Sequence, residues 1–442
     1  LGAATTLTST GNGNINLAST VNGAQTLAVN TGGTVTFGAA VGGTTALTSV
    51  TTDATGSTAI NGGSVKTTGA QTYNDNVTIG ANTTLSSTGA GNITLGGTTD
   101  GAFDLTVSTA GTATFTGTVG GTTPLVNLDI QADGISFNAI TTTTTVTLRS
   151  FTAGKTLGVE DATQDINFTD AKLDGITTPL LIIGDSVNSG GIKIATDAAV
   201  SQNKNLVFTT GGTVALNGAL STTSSGTVTI NNGGLLTIAA AGDMNLDGAF
   251  SQAGAGNVST AGDITTTGDN VSFSKAVTLT GDVLISTGAG NVTFSSTVDG
   301  GANLTLNGSG INTLTAAVGA TTPLTSLTTD AGGSTAINGG SVKTTGAQTY
   351  NDAVTLGADT TLTSTGNGNI NLASTVNGAQ TLTVNTGGTT TFGGAVGGTT
   401  ALTSVTTDTT GTTAINGGAV TTTGAQTYND AVSLGAATTL IS

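Results

Sequence analysis

With 442 residues, 70 of them glycine, and 7% of the chain charged, the sequence is too poor in charge for an ordinary globular surface, while its 36% hydrophobic content sets it apart from a disordered low-complexity segment. A net charge of −16 with eight scattered basic residues excludes the basic footprint that nucleic acid and anionic membranes require. Cysteine and histidine are both absent, which removes disulfides, the usual zinc ligands and the common nucleophile dyads, and no stretch approaches the ~18 apolar residues of a membrane helix.

In chain order, Leu1 opens in mid-repeat with no charged and then apolar leader, so the sequence reads as a mature fragment or an excerpt. The stretch from Leu7 then sets the pattern for the rest. LTSTGNGNINL at Leu7 returns as LSSTGAGNITL at Leu85, 78 residues on, and related copies open at Leu284 and Leu362. These define repeats over 7–84, 85–162, 284–361 and 362–439, with 163–283 as diverged coils, all in one continuous body over 1–442. Within each unit leucines recur at 20-residue spacing: Leu7, Leu27 and Leu47, then Leu85, Leu105 and Leu125, Leu284, Leu304 and Leu324, and Leu362, Leu382 and Leu402. This spacing predicts an all-β parallel β-helix, a β-solenoid of about 20 residues per coil and four coils per repeat.

Short alternating runs such as Ile15-Asn16-Leu17, Val35-Thr36-Phe37 and Val77-Thr78-Ile79 carry the period of a strand with one buried face. Phe37, Phe115, Leu314 and Phe392 hold one equivalent position and are expected inside, with Thr36, Thr114, Thr313 and Thr391 outside. Gly42-Gly43, Asn61-Gly62, Gly120-Gly121 and Gly397-Gly398 mark turns. Pro124, Pro179 and Pro323 each sit in TTPL, the entry to a strand, where a missing N–H costs least. Stacked coils also account for the scarcity of charge, since like charges about 4.8 Å apart repel by roughly 0.9 kcal/mol even in water, and Thr, Ser and Asn columns instead hydrogen-bond along themselves.

Residues 149–174 depart from this rule, holding Arg149, Lys155, Glu160, Asp161, Asp165, Asp170, Lys172 and Asp174, with the sole Arg and sole Glu of the chain. A Ca²⁺-binding loop is one reading and a solvated turn in a diverged coil is the other; no GGxGxD or EF-hand spacing supports the metal. A carboxylate enzyme acting on polysaccharide would place its cleft here and depend on Asp165 or Asp170. Elsewhere carboxylates recur singly at turns, as Asp75, Asp352 and Asp430 do. The sequence therefore offers no catalytic, cofactor-binding or metal-binding residue, and the chain is read as non-enzymatic and free of cofactors. Thr34-Val35-Thr36, Thr112-Ala113-Thr114 and Thr389-Thr390-Thr391 suggest an ice-binding face, but they fall on one coil in four, and such a face needs successive coils. At the ends, LGAATTL stands at both Leu1–Leu7 and Leu434–Leu440, so the reading has no capping coil and expects end-to-end self-association or a longer polypeptide.

On the GAQTYND, STGNGNINL and VNTGGTVTF motifs the chain resembles the β-solenoid repeats of large bacterial surface proteins, the filamentous-haemagglutinin-like adhesins and autotransporter passengers. The resemblance implies a location outside the bacterial cell or on its surface. It also implies a rigid structural or adhesive shaft that self-associates end to end or contacts cell-surface glycans, host cells or neighbouring cells, with no membrane insertion and no nucleic-acid partner. The alternatives are a carbohydrate-binding or polysaccharide-degrading β-helix and an ice-binding module.

Overall fold

A computed structural model describes residues 1–442. The chain is all-β apart from one five-residue helix, Asp170–Asp174, and it divides into two compact units: Leu1–Asp197 with Gln202–Gly212, and Ala198–Ser201 with Thr213–Ser442. Both units are β-solenoids in which every strand pairing is parallel.

In the first unit each coil contributes to three faces. One face stacks Thr5–Ser9, Thr26–Thr31, Ser49–Thr52, Gln71–Tyr73 and Ile93–Leu95. A second stacks Ile15–Leu17, Thr34–Phe37, Ser57–Ile60, Asn76–Ile79 and Thr99–Asp100. The third runs through Val21, Val41, Ser64–Thr67, Thr83–Ser87 and the start of Leu105–Phe115. The second unit repeats this plan, for example stacking Val271–Phe273, Val292–Phe294, Ile311–Leu314 and Ser334–Ile337 on one face. Successive coils lie nearer 22 than 20 residues apart. A 78-residue repeat consequently holds somewhat less than the four coils that the leucine spacing suggests.

Alternation places the core as the sequence predicts. Phe37, Phe115, Leu314 and Phe392 are buried, and the threonines before them face outward. Each such apolar side chain contributes roughly 1.5–3 kcal/mol through burial, and in the second unit Phe273 stacks on Phe294 at 5.3 Å and meets Phe250 at 5.4 Å with the rings tilted. Most of the recurring leucines are buried, but two are not. Leu7 lies on the first coil and is half-buried. At Leu284 the strand Val283–Ser286 is shifted by one residue, so Val283 and Ile285 point inward and Leu284 faces out. The reason is local sequence: Val283-Leu284-Ile285 offers apolar side chains in both phases, and a one-residue slip exchanges the faces.

The corners explain the glycines. Gly42, Gly120, Gly319 and Gly397 have φ near +70°, and a Cβ on each would lie within 2.0–2.2 Å of a carbonyl oxygen of the next coil. Asn61-Gly62 works differently: Gly62 is required because its Cβ would meet the Ala39 backbone at 2.1 Å. Asn and Asp side chains at other corners accept backbone N–H groups one coil on, as Asn22 does from Thr44 and Asp299 from Thr321. Pro124 and Pro179 directly precede the strands Leu125–Phe137 and Leu180–Asp185, and Pro323 precedes the bridge residue Leu324.

Candidate functional site

The charged segment predicted to differ does so by lengthening one coil. Thr145 pairs with Leu180, 35 residues on, and the intervening chain makes the short strands Leu157–Val159 and Ile166–Phe168 and the helix. Arg149, at the end of the strand Ile140–Arg149, stands between carboxylates of the coils on either side. Its Nη2 donates to Asp129 at 2.7 Å and its Nη1 to Asp185 at 3.1 Å. The hydrogen bond to Asp129 is the main cause holding the guanidinium above its usual range. Asp129, Arg149 and Asp185 thus form a column of alternating sign, the arrangement in which stacked charges attract.

The remaining acids of the segment are engaged separately. Lys155 pairs with Asp165 at 3.1 Å, and the Thr156 backbone N–H, with Lys155, holds that carboxyl below its ordinary range. Asp161 is buried, which raises its carboxyl, but donors from Thr163, Thr196 and Gln164 outweigh burial and bring it below the ordinary value. Glu160, in the left-handed region at φ 52°, accepts the Asp170 backbone N–H. Thr169 caps the helix by accepting from Lys172, whose Nζ lies 5.4 Å from the centre of the Phe137 ring. Gln202 donates to Asp170 at 2.7 Å and to Asp174 at 3.0 Å. Lys204, buried and lowered by that burial against the pull of Asp174 and Asp170, donates to the Leu173 carbonyl and to Gln202. Asp165 and Asp170, the pair a polysaccharide-cleaving reading relies on, are held by different partners, and no group of three acids converges as a metal-binding cluster. What the segment builds is a fastening of the enlarged coil.

A second polar constellation comes from the GAQTYND motif. Gln71 is fully buried, its amide donating to the Val65 and Ser86 carbonyls at 3.0 and 2.9 Å, while its Oε1 accepts from the Tyr73 hydroxyl at 3.0 Å. Gln348 with Tyr350, and Gln426 with Tyr428, repeat the arrangement. Burial raises the Tyr73 and Tyr350 hydroxyls far above the phenol range and pushes Tyr428 up to about 12. Asp75 accepts from the buried Thr52 and Thr58 hydroxyls at 2.8 and 2.9 Å, and Asp430 from Thr407 and Thr413 at 2.9 and 2.8 Å. Asp352 takes Thr335 at 3.0 Å and Asn312 at 3.1 Å. Burial raises the Asp75 and Asp352 carboxyls despite these donors. The sequence placed these acids at turns; it did not reveal that each closes over hydroxyls inside the core. The inward position of Thr52 and Thr58, in step with Val50 and Ile60, was the available signal.

Outward side chains form ladders. Thr51, Thr72, Thr94 and Thr114 stack on four successive coils, and Thr305, Thr328 and Thr349 on three. The threonine columns therefore arise from different motifs in adjacent coils, where the sequence pattern had suggested one coil in four. Beside the first ladder stand Ala70, Asn92 and Thr112 on one side and Asn74, Gly96 and Thr116 on the other, so it is a single column without a matching second one. The surface hollows are shallow; one of about 430 Å³ is lined by Asp263, Asp282, Asn303, Thr305 and Ser326. There Asp263 accepts the Leu284 backbone N–H and Asp282 accepts both the backbone and side-chain N–H of Asn303. No helix is long and apolar enough to cross a membrane. No protein-family model matches this chain, and neither a curated protein nor a solved structure matches it.

Proposed function

We propose that the chain is a non-catalytic structural shaft that acts outside the cell, as a stalk or fibre of the adhesin kind, and that copies of it associate end to end. The observation that carries this reading is where the polar side chains go. Asn, Asp, Gln, Thr and the one Arg are spent on bonds between coils, as in Asn22 to Thr44, Asp75 to Thr52 and Arg149 to Asp129 and Asp185. A molecule whose polar groups are committed to its own stacking delivers stiffness and length, and weak contacts to glycans or neighbouring cells multiply along it. Its freedom from cysteine suits a protein stabilised by repetition in an oxidising environment.

Parallel pairing of each coil with the next supports the end-to-end part of this reading: Leu356 and Ile79 are each buried beneath a following coil, and a coil supplied by another copy would pair in the same way. Electron microscopy at increasing protein concentration tests the proposal. Particles that lengthen in multiples of one body are expected. Particles of constant length at every concentration, together with turnover of a polysaccharide, would replace this reading with an enzymatic one.

A further inference from the structure

Exposed apolar side chains are rare on this chain, and two of them stand together. Of the eleven phenylalanines, nine are buried in the core, and Phe103 and Phe151 are exposed. Val187, at 73%, is the most exposed large hydrophobic residue of the chain. Phe151 and Val187 line one hollow of about 200 Å³ in the first unit, together with Ala153, Gln131, Ser150 and Asp185. An apolar patch rimmed by polar groups is the surface signature of a binding site.

The loops that carry these two side chains are locked. Asp133 accepts the backbone N–H groups of Phe151 and Thr152, and Asp185 accepts those of Val187 and Asn188 at 3.1 and 2.9 Å. The buried Asn188 amide then donates to the buried Ser150 hydroxyl at 2.9 Å, and the Ser189 backbone N–H donates to the Ala153 carbonyl at 2.7 Å. Each loop therefore fixes the other, and a patch ordered before its ligand arrives loses little freedom on binding.

The rim keeps hydrogen-bonding capacity in reserve. Gln131 accepts the Ser108 hydroxyl on Oε1 at 3.1 Å, and its amide N–H₂ donates to no group of the chain. The Ser150 hydroxyl accepts from Asn188 and retains its own proton to give. The Asp185 carboxylate takes Arg149 on one oxygen and the Val187 and Asn188 N–H groups on the other, which fills three of its roughly four acceptor places. Two donors and one acceptor thus border an apolar floor.

We propose that this hollow is a binding site for one neutral hexopyranose ring of a glycan, seated with its C–H face on Phe151 and Val187 and its hydroxyls toward Gln131, Ser150 and Asp185. The volume lies below the ~300–1,000 Å³ that drug-sized ligands occupy, so it takes a single ring. Apolar floor and mixed polar rim together match a pyranose, which carries an apolar face and several hydroxyls on one rigid ring. Charge selects the neutral kind: Arg149 is shared between Asp129 and Asp185, and the negative charge left over beside the hollow repels a sialic or uronic acid. This inference deepens the shaft reading, in which glycan contacts are made along the rod, and rests on it for its biological sense.

Saturation-transfer-difference NMR on the full chain tests the site, with the methyl glycosides of glucose, galactose and mannose as probes and methyl glucuronide as the anionic control. Saturation of the ring C–H protons of at least one neutral glycoside is expected, with none on the glucuronide. Phe151→Ala is expected to reduce the signal at least fivefold, Gln131→Ala to weaken it, and Phe151→Trp, which keeps an aromatic floor, to retain it. An unchanged urea midpoint in Phe151→Ala establishes that the loss is local. No saturation of any neutral glycoside by the intact chain, or an equal signal from Phe151→Ala, overturns the proposal. End-to-end growth in electron micrographs does not involve Phe151, so failure of the shaft reading would show there and not in these spectra.

Discussion

At the scale of single residues, the core is defined as much by its polar members as by its apolar ones. Thr99 is fully buried and its hydroxyl has no hydrogen-bond partner. Val21, Val298 and Val376 hold the same place in the other repeats. A buried hydroxyl left unpaired costs about 1–3 kcal/mol, and valine has nearly the same shape. Thr99→Val is expected to stabilise the protein by about 1–2 kcal/mol, read as a higher urea midpoint; an unchanged or lower midpoint would mean that the hydroxyl finds a partner after all. Asp75 and Asp352 make the opposite case. Burial raises both carboxyls, so the folded state binds their protons more readily than the unfolded chain does. Their contribution to stability is therefore complete below the ordinary carboxylate range, near pH 4, and is lost as pH climbs through the raised values. Asp161 and Asp165, lowered in the folded state, act in reverse and lose their contribution only as pH falls below that range. Stability between neutral pH and about pH 4 is expected to rise on acidification, and to rise less in Asp75→Asn/Asp352→Asn; identical profiles for the two proteins would remove the role given to these carboxyls. Little of this was read from the sequence, where Thr99 reads as one more threonine and Asp75 as a turn residue; the valines at the places equivalent to Thr99 and the inward phase of Thr52 and Thr58 were the signals, while burial itself is a property of the stack and not of the motif.

At the scale of the strand and the corner, much more was legible. Alternation in Val35-Thr36-Phe37 and the glycine pairs at Gly42-Gly43 and Gly397-Gly398 foretold inward side chains and corners, since period two and positive φ are local demands. The coil length, read as about 20 residues, is nearer 22 for an instructive reason. Leucines 20 apart do not stack on each other: Leu7 pairs with Val29, two residues beyond Leu27 on the same face, while Leu27 pairs with Val50 and Leu47, on another face, bridges to Thr67. The leucine spacing was therefore not the distance from coil to coil. Residues 149–174 illustrate a further limit. Their density of charge singled them out correctly as a different piece of structure, but whether such charges meet at one point or disperse to separate partners depends on the path of the enlarged coil, which no local pattern encodes.

At the scale of the whole molecule, strands in the repeats pair with strands one coil on, as Asn303–Asn307 does with Ser326–Thr329 and Thr381–Thr386 with Ser404–Thr407, so what matters to folding there is the order of motifs and not their absolute number. Removing residues 327–404, one repeat long, joins Ser326 to Val405 and leaves the strand Asn303–Asn307 beneath the new junction, where Thr381–Thr386 stands in the intact chain. The shortened protein is expected to keep its far-ultraviolet β signature and a urea midpoint close to that of the full chain, as in repeat proteins whose stability is a sum of neighbour terms. Aggregation, or loss of the cooperative transition, would show that long-range order beyond the adjacent coil is needed. The all-β, coil-by-coil character of the chain could be read from its repetition alone. That neighbouring copies begin on different faces could not, because a repeat does not hold a whole number of coils: Ile15–Leu17 stacks on Thr34–Phe37 in one column, and its counterpart Ile93–Leu95 stacks on Gln71–Tyr73 in another.

That fractional coil also constrains how the sequence can change. Because neighbouring copies of a motif stand on different faces, a substitution carried by all copies reaches more than one face of the stack, much as coprime tooth numbers spread wear between gears. A face can therefore acquire a chemistry of its own only where the copies cease to be copies. Asp185, which takes one arm of Arg149, the helix and the buried Lys204 all belong to the diverged coils over 163–283.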